Sequence, residues 1–389
     1  MLLQVSTGVS LLKYWLSLQH YTFSLLNHIL AYIMGAIFGV LFHFIGGFAS
    51  GSFYIPYKKV SGWSWESYWI TGGVFSWLIV PPIAAYLTIP NFGEIISSTE
   101  GTVLFWTYTM GLLWGIGGLT YGLGVRYLGV SLGSSIILGL CSVFGSIIPS
   151  IYYNFNPTPT KDTIHDLMTN HWGQMVLLGL AVCVAGIVIC GKAGGMKDKD
   201  LNGETADNAE FDISKGLVFA IISGVLSACF SFGIEAGSTM ANVANQQWIN
   251  QNVGQGEFLY RNNVVYVVIL WGGLTTNLMW CMYLNFKNKS FSDYSNEKTP
   301  LLKNYVFSAI AGTTWFLQFF FYGMGESRLG NGPSSWILHM AFIILVANSW
   351  GLVLNEWKGV SKKTLTTIIA GILTIILSVL VVGYGNSLK

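Results

Sequence analysis

Read for hydrophobic and polar positions, the chain resolves into long apolar runs separated by short polar breaks. A helix that crosses about 30 Å of hydrocarbon at 1.5 Å per residue needs about 20 mainly apolar residues. Ten runs meet that length: 29–55, 68–87, 103–125, 130–152, 172–190, 216–234, 264–286, 305–324, 334–354 and 365–384. None of them contains Asp, Glu, Lys or Arg, and the pattern predicts ten transmembrane helices. Pro56, Lys58 and Lys59 end the first run, Pro90 and Asn91 follow the second, and Asn331 to Ser334 carry a helix-start signal before the ninth.

The longest polar stretch, 196–212, holds eight charges in 17 residues and divides the chain. The expected organisation is an N-terminal extension over 1–33, aromatic but too polar to span and read as an interfacial helix; a first five-helix unit over 34–195; a charged cytoplasmic linker over 196–213; and a second five-helix unit over 214–389.

Composition agrees. The 389 residues include 19 Lys or Arg and 17 Asp or Glu, 9% charged, against about 25% in soluble domains. With 52% hydrophobic residues, this is an all-α polytopic membrane protein rather than a soluble enzyme. A net charge of +2, confined to loops, gives nucleic acid nothing to bind, so the partner is the lipid bilayer. The five cysteines lie in apolar runs without metal-ligand spacing and read as free, packed thiols; no metal or cofactor motif is present. Fourteen Lys and Arg fall in odd-numbered loops against five in even-numbered loops and termini, which puts the odd loops in the cytoplasm.

The halves repeat each other. Gly39, Phe42, Ile45, Gly47, Ser50 and Phe53 match Gly216, Phe219, Ile222, Gly224, Ser227 and Phe230 at an offset of 177. Gly111, Trp114, Tyr121, Gly122, Gly124, Leu128 and Gly129 match Gly312, Trp315, Tyr322, Gly323, Gly325, Leu329 and Gly330 at an offset of 201. An odd-numbered unit duplicated in this way enters the membrane from opposite sides, the inverted repeat of secondary transporters. Gly111 with Gly115 and Gly118 with Gly122 offer small-residue faces for sliding, and Pro81, Pro82 and Pro149 permit kinks.

Apart from Tyr and Cys, the ionisable groups inside the runs are His43 and His339, each within its apolar run and read as lying at depth in the membrane. Histidine titrates near neutral pH, and these two lead the proton-coupling candidates, with Glu235 and Glu326 at the outer boundary in reserve. Trp114, Tyr121, Trp315, Tyr322 and Trp336 offer faces on which the C–H side of a sugar can stack, and Asn277, Gln318 and His339 offer hydrogen bonds. With no buried Arg or Lys to hold a phosphate, the expected cargo is uncharged.

The strings Phe53-Tyr-Ile-Pro-Tyr-Lys-Lys-Val60, Trp63-Ser-Trp-Glu66, Tyr121 to Gly129, Trp315 to Gly323, Ser335-Trp-Ile-Leu-His339 and Gly351 to Trp357 resemble the L-rhamnose/proton symporter family of the drug/metabolite transporter superfamily, over roughly residues 34–384. That resemblance implies a ten-helix fold, L-rhamnose import with a proton, no cofactor beyond the proton gradient, and residence in a bacterial inner membrane. Other neutral sugars or metabolites, such as L-lyxose or another deoxy sugar, are the rival cargo. A membrane enzyme is disfavoured because the runs hold no carboxylate pair, metal set or nucleophile–base spacing.

Overall fold

The structure, a computed structural model, describes residues 34–128, 130–159, 161–202, 213–254, 256–355 and 357–389. The expected extension over 1–33, the first residues of the first predicted span and the linker centre at 203–212 lie outside the described residues.

The described residues form helices and no strands. Ten helices are long: α1 Met34–Tyr57, α2 Trp65–Thr88, α3 Gly101–Leu128, α4 Val130–Phe155, α5 His171–Asn202, α6 Ile213–Ala236, α7 Asn263–Asn288, α8 Leu301–Leu329, α9 Gly332–Val353 and α10 Lys362–Ser387. Nine of them are long and apolar enough to cross a membrane, which makes this a membrane-embedded protein. The exception is α8, which has 29 residues but buries Asn304, Ser308, Gln318, Glu326 and Ser327 against its neighbours. A helix enclosed by other helices does not need an apolar circumference, so its hydropathy falls below that of the rest. Between the long helices lie shorter ones at Phe92–Ser98, Ile164–Thr169 and Ser238–Gln251.

Both proline sites lie inside helices as expected, and the pair in α2 distorts its helix. Pro81 and Pro82 lack the N–H groups that would close the preceding turns, and α2 takes π-helical form over Val74–Ile79 just before them. In α4, Pro149 leaves the carbonyl of Gly145 without its helical donor, and Ser231 Oγ on α6 donates to it at 2.8 Å.

Close packing rests on backbone approach, α3 against α6 and α7, α5 against α10, and α8 against α2. A methyl group on Gly39 would meet Leu329, and one on Gly216 would meet Leu128. One on Gly312 would strike the Gly72 carbonyl, and one on Gly272 the Tyr108 carbonyl. Gly186 sits on Ile375 and Gly371 on Cys190. Gly111 and Gly115 form the expected contact face, on Ile269 and Thr276, but Gly118 and Gly122 meet nothing within 4 Å; the second small-residue face faces open space.

At the end carrying Lys58 and Lys59, a polar clasp joins the α1–α2 loop to the α7–α8 loop. Glu66 accepts from Ser290 Oγ at 2.6 Å and Asn288 Nδ2 at 2.9 Å. Asp293 Oδ2 accepts from the Ser64 N–H at 2.7 Å and Ser67 Oγ at 2.8 Å. The Asn304 amide pairs with the Ser61 backbone at 3.1 and 2.8 Å. At the same end α5 continues into the charged stretch expected as linker, and Asp200 Oδ2 accepts from the Ser361 N–H at 2.8 Å at the start of α10.

Candidate functional site

At the opposite end, where α6 and α8 finish, a cavity opens among charged side chains. Its walls include Tyr153 from α4, Lys161 from the α4–α5 loop, Glu235 from α6, Arg261 and Asn262 before α7, and Glu326 from α8. Glu235 Oε2 accepts from Tyr153 OH and from Lys161 Nζ, each at 2.6 Å. Glu326 takes a hydrogen bond from Asn262 Nδ2 and faces Arg261 Nη2 at 3.7 Å, while Arg261 Nη1 also holds Glu257 at 2.8 Å.

Carboxylates at a membrane boundary, where Glu235 and Glu326 are expected, are ordinarily open to water. The structure differs: Glu326 is only 8% exposed. A carboxylate withdrawn from water is costly unless paired, and each of these has a cation and a neutral hydrogen-bond donor. Two residues after Lys161, a capping box starts the helix Ile164–Thr169. There Thr163 Oγ1 accepts from the Asp166 N–H at 3.1 Å and the Thr163 N–H donates to Asp166 Oδ2 at 2.9 Å. The Thr163 hydroxyl, which also donates to Asp166 Oδ2 at 2.7 Å, and the Thr163 N–H hold the Asp166 carboxyl below its usual range.

A smaller, narrow recess, also walled by Glu235 and Glu326, continues inward past Pro149, Gly145 and Ser231 to Tyr322. Tyr322 stands between the two buried histidines, its ring centroid 5.3 Å from that of His43 and 5.1 Å from that of His339. His43 is pressed against Gly325 one turn along α8, where any larger residue would collide with the imidazole. Among the described residues neither ring nitrogen of His43, nor Nδ1 of His339, has a hydrogen-bond partner. Trp336 closes the group, 6.0 Å from Tyr322, and is fixed by its Nε1 donating to the Cys141 carbonyl at 3.0 Å.

From His339 an aromatic stack runs toward the Lys58 end: Phe319 at 6.0 Å, then Phe230 stacked on Phe319 at 3.8 Å, then Trp114 5.3 Å from Phe230 and 5.6 Å from Trp315. The structure thus brings together Trp114, Trp315, Tyr322, Trp336, His43 and His339. Gln318 stays on α8 but its amide donates to the Trp315 carbonyl at 2.9 Å. Asn277 lies nearer the clasp, accepting from Trp69 Nε1 at 3.0 Å. Tyr121 does not join the group; it packs with Leu128, Ile137 and Ala220, because α3 turns that position toward α4 and α6.

Arg261, Asn262, Tyr153, Lys161 and Ser231 escaped the sequence reading. Ser231 had a legible signal, one turn before Glu235 on the same helix face. The loop residues had none, since only the folded chain brings them to α6 and α8.

The family model described as L-rhamnose-proton symport protein (RhaT) matches residues 33–388. A Yersinia pestis protein named L-rhamnose-proton symporter is 37% identical over 355 residues, 90% of this chain and 98% of its own length. A Mannheimia succiniciproducens protein of the same name is 36% identical over 358 residues, again 90% of this chain and 98% of its own. A solved structure titled only as the crystal structure of a protein aligns at 13% identity with a TM-score of 0.44, over 88% of this chain and 96% of that one, too distant to bear on the fold. With a family model spanning nearly all of it and relatives above one-third identity along their whole length, this chain belongs to the L-rhamnose-proton symporter family.

Proposed function

We propose that the protein imports L-rhamnose together with a proton by alternating access. The observation that carries this is family membership over residues 33–388, and the charged vestibule leading to a layer of aromatic rings supports it. One proton moving down 100 mV releases about 2.3 kcal/mol, enough for roughly 40-fold accumulation of a neutral sugar.

In this reading α8 is the tenth span, and 34–195 and 214–389 are inverted five-helix repeats joined by the linker at 196–213. Recurring contacts support the repeat: Gly39 on Leu329 is matched by Gly216 on Leu128, and Gly47 on Phe342 by Gly224 on Leu140. The excess of basic residues in odd loops orients the chain in a bacterial inner membrane with the vestibule outside and the Glu66 clasp in the cytoplasm.

The proton-coupling set is Glu326, Glu235, His339 and His43. Both carboxylates meet the vestibule and the recess; Glu326 comes first because it is the more buried, 8% exposed, and holds Arg261 and Asn262. Protonating it removes the charge that Arg261 answers, freeing the segment before α7 from α8 and coupling proton binding to movement of the outer end. Trp114, Trp315, Tyr322 and Trp336 offer the sugar their faces, with Gln318 and His339 beside them. Asn277 acts through Trp69.

The test is uptake of labelled L-rhamnose into proteoliposomes under an imposed inward proton gradient, with and without an uncoupler. Accumulation that the uncoupler abolishes is expected. Absence of rhamnose flux, with flux of another neutral sugar from a panel, would replace the cargo.

A further inference from the structure

Tyr266, in the first turn of α7, is fully buried, and among the described residues its hydroxyl has no hydrogen-bond partner. The ring is not free to swing toward one. It is stacked on Phe230, with centroids 6.1 Å apart and planes at 24°, and lies 6.0 Å from Phe319 at 41°. Buried polar groups are nearly always paired, so an orphaned phenol calls for a partner in some state of the protein.

The neighbourhood names that partner. Asn262 and Tyr266 lie one turn apart, the Tyr266 N–H donating to the Asn262 carbonyl at 3.1 Å, and both face α8 at Gly323. A methyl group on Gly323 would stand 2.9 Å from Tyr266 Oη and 3.3 Å from Asn262 Cβ. Glu326 is three residues further along α8, on the same face. Helical side chains lean toward the N-terminus, so Glu326 extends back over Gly323, which has no side chain of its own and where the phenol stands. Tyr266 accordingly feels the charges of both Glu326 and Arg261.

The present partners of Glu326 suit only its charged form. Arg261 and the Asn262 amide turn N–H donors toward it, and donors stabilise a carboxylate. A protonated carboxyl has an O–H of its own to place, and the Tyr266 oxygen can accept it. Other titratable groups face Glu326 from every side. Glu257 shares Arg261, and Glu235 of α6, with Lys161 and Tyr153, lines the same cavity. His43 of α1 packs on Gly325, Tyr322 and Arg328 lie on α8 itself, and His339 of α9 touches Tyr322. A test therefore has to leave all of these in place.

We infer that Tyr266 is the positioning residue that captures protonated Glu326: once the carboxyl has taken a proton from the vestibule and parted from Arg261 and Asn262, its O–H donates to Tyr266 Oη. The phenol keeps its own proton throughout. The inference rests on the proposed role of Glu326 as proton carrier and adds what holds the loaded state. An acceptor for the acid form favours proton uptake, so losing it should demand a more acidic medium. A phenol that instead donated to the carboxylate would act in the opposite direction.

The experiment measures exchange of labelled for unlabelled L-rhamnose in proteoliposomes, with pH equal on both faces and varied from about 5 to about 9. Tyr266→Phe keeps the ring and its stacking and removes the hydroxyl. Its half-maximal pH should fall by about one unit, a roughly tenfold higher proton concentration, with little change in the maximal rate at low pH. Tyr305→Phe, which loses a hydroxyl at the clasp end, should keep the parent midpoint. In Glu326→Gln the pH dependence should vanish, and adding Tyr266→Phe should change nothing further. An unchanged or raised midpoint in a monodisperse Tyr266→Phe protein, with Glu326→Gln independent of pH, overturns the capture. A pH dependence that persists in Glu326→Gln overturns instead the role of Glu326 as proton carrier, and the capture with it.

Discussion

Glu326 and Arg261 meet at the wall of the vestibule with Oε1 and Nη2 3.7 Å apart, one from the last turns of α8 and the other from the segment before α7. The pair ties two elements that are 65 residues apart in sequence, and its strength depends on one proton. Replacing Glu326 with Gln keeps the shape and removes the charge. Glu326→Gln is expected to exchange labelled for unlabelled rhamnose while its accumulation at 100 mV falls from roughly 40-fold to about onefold. Proteoliposome uptake with and without counter-substrate checks this, and normal accumulation by the variant would move the proton elsewhere.

His339→Asn separates the other half of the proposed coupling set. His339 lies among Phe319, Tyr322 and Trp336, in contact with rings rather than with the charged cavity. With Glu326 as the proton carrier, His339→Asn should still concentrate rhamnose under a proton gradient, with a weaker apparent affinity. Exchange without accumulation in this variant would transfer the proton to the histidine.

Ser231→Ala removes the donor that satisfies the Gly145 carbonyl freed by Pro149. A buried carbonyl left without its partner costs about 1–3 kcal/mol. Thermal unfolding in detergent should show that loss, while Ser227→Ala, one turn away, serves as the control.

How much of this was written in the sequence depends on the range of each interaction. The apolar runs marked nine helices that qualify as spans, and α8 falls short because its polar residues are satisfied by neighbours that no local pattern names. His43 and His339 could be singled out by depth alone. That one tyrosine would lie between them required α1, α8 and α9 to meet. Pro149 announced a kink, and the partner of its freed carbonyl sat on another helix 82 residues later. Glu235 and Glu326 looked like ordinary boundary carboxylates because Lys161 and Arg261 reach them from loops.

Gly111→Ala and Gly118→Ala form a matched pair on one helix. A methyl at Gly111 would strike the Ile269 backbone, whereas at Gly118 it meets nothing within 4 Å. Overpacking costs about 1–3 kcal/mol, so Gly111→Ala should lower the melting temperature and impair transport. Gly118→Ala should be neutral or slightly stabilising through helix propensity.

The Asp166 carboxyl, held below its usual range by Thr163, gives a pH dependence of known sign. A depressed folded-state value stabilises fully above the unfolded carboxylate pKa of about 3.9, and that stability is lost as pH falls through the lower folded value. Amide-exchange protection in Ile164–Thr169, corrected for intrinsic rates, should therefore fall as pH is lowered from 5 to 3. Asp166→Asn should flatten that dependence, and a dependence that persists in the variant would assign it to another group.

All five cysteines are free and buried, including Cys141, whose carbonyl holds Trp336, and Cys229 on α6 beside the vestibule helices. To a bulky thiol reagent the resting chain is therefore silent, and no cysteine has to be engineered away before a label is introduced at the vestibule. The same silence makes the native thiols sentinels: a label that appears on Cys141 or Cys229 only when sugar and proton are both present would time the parting of α4 from its neighbours during the transport cycle.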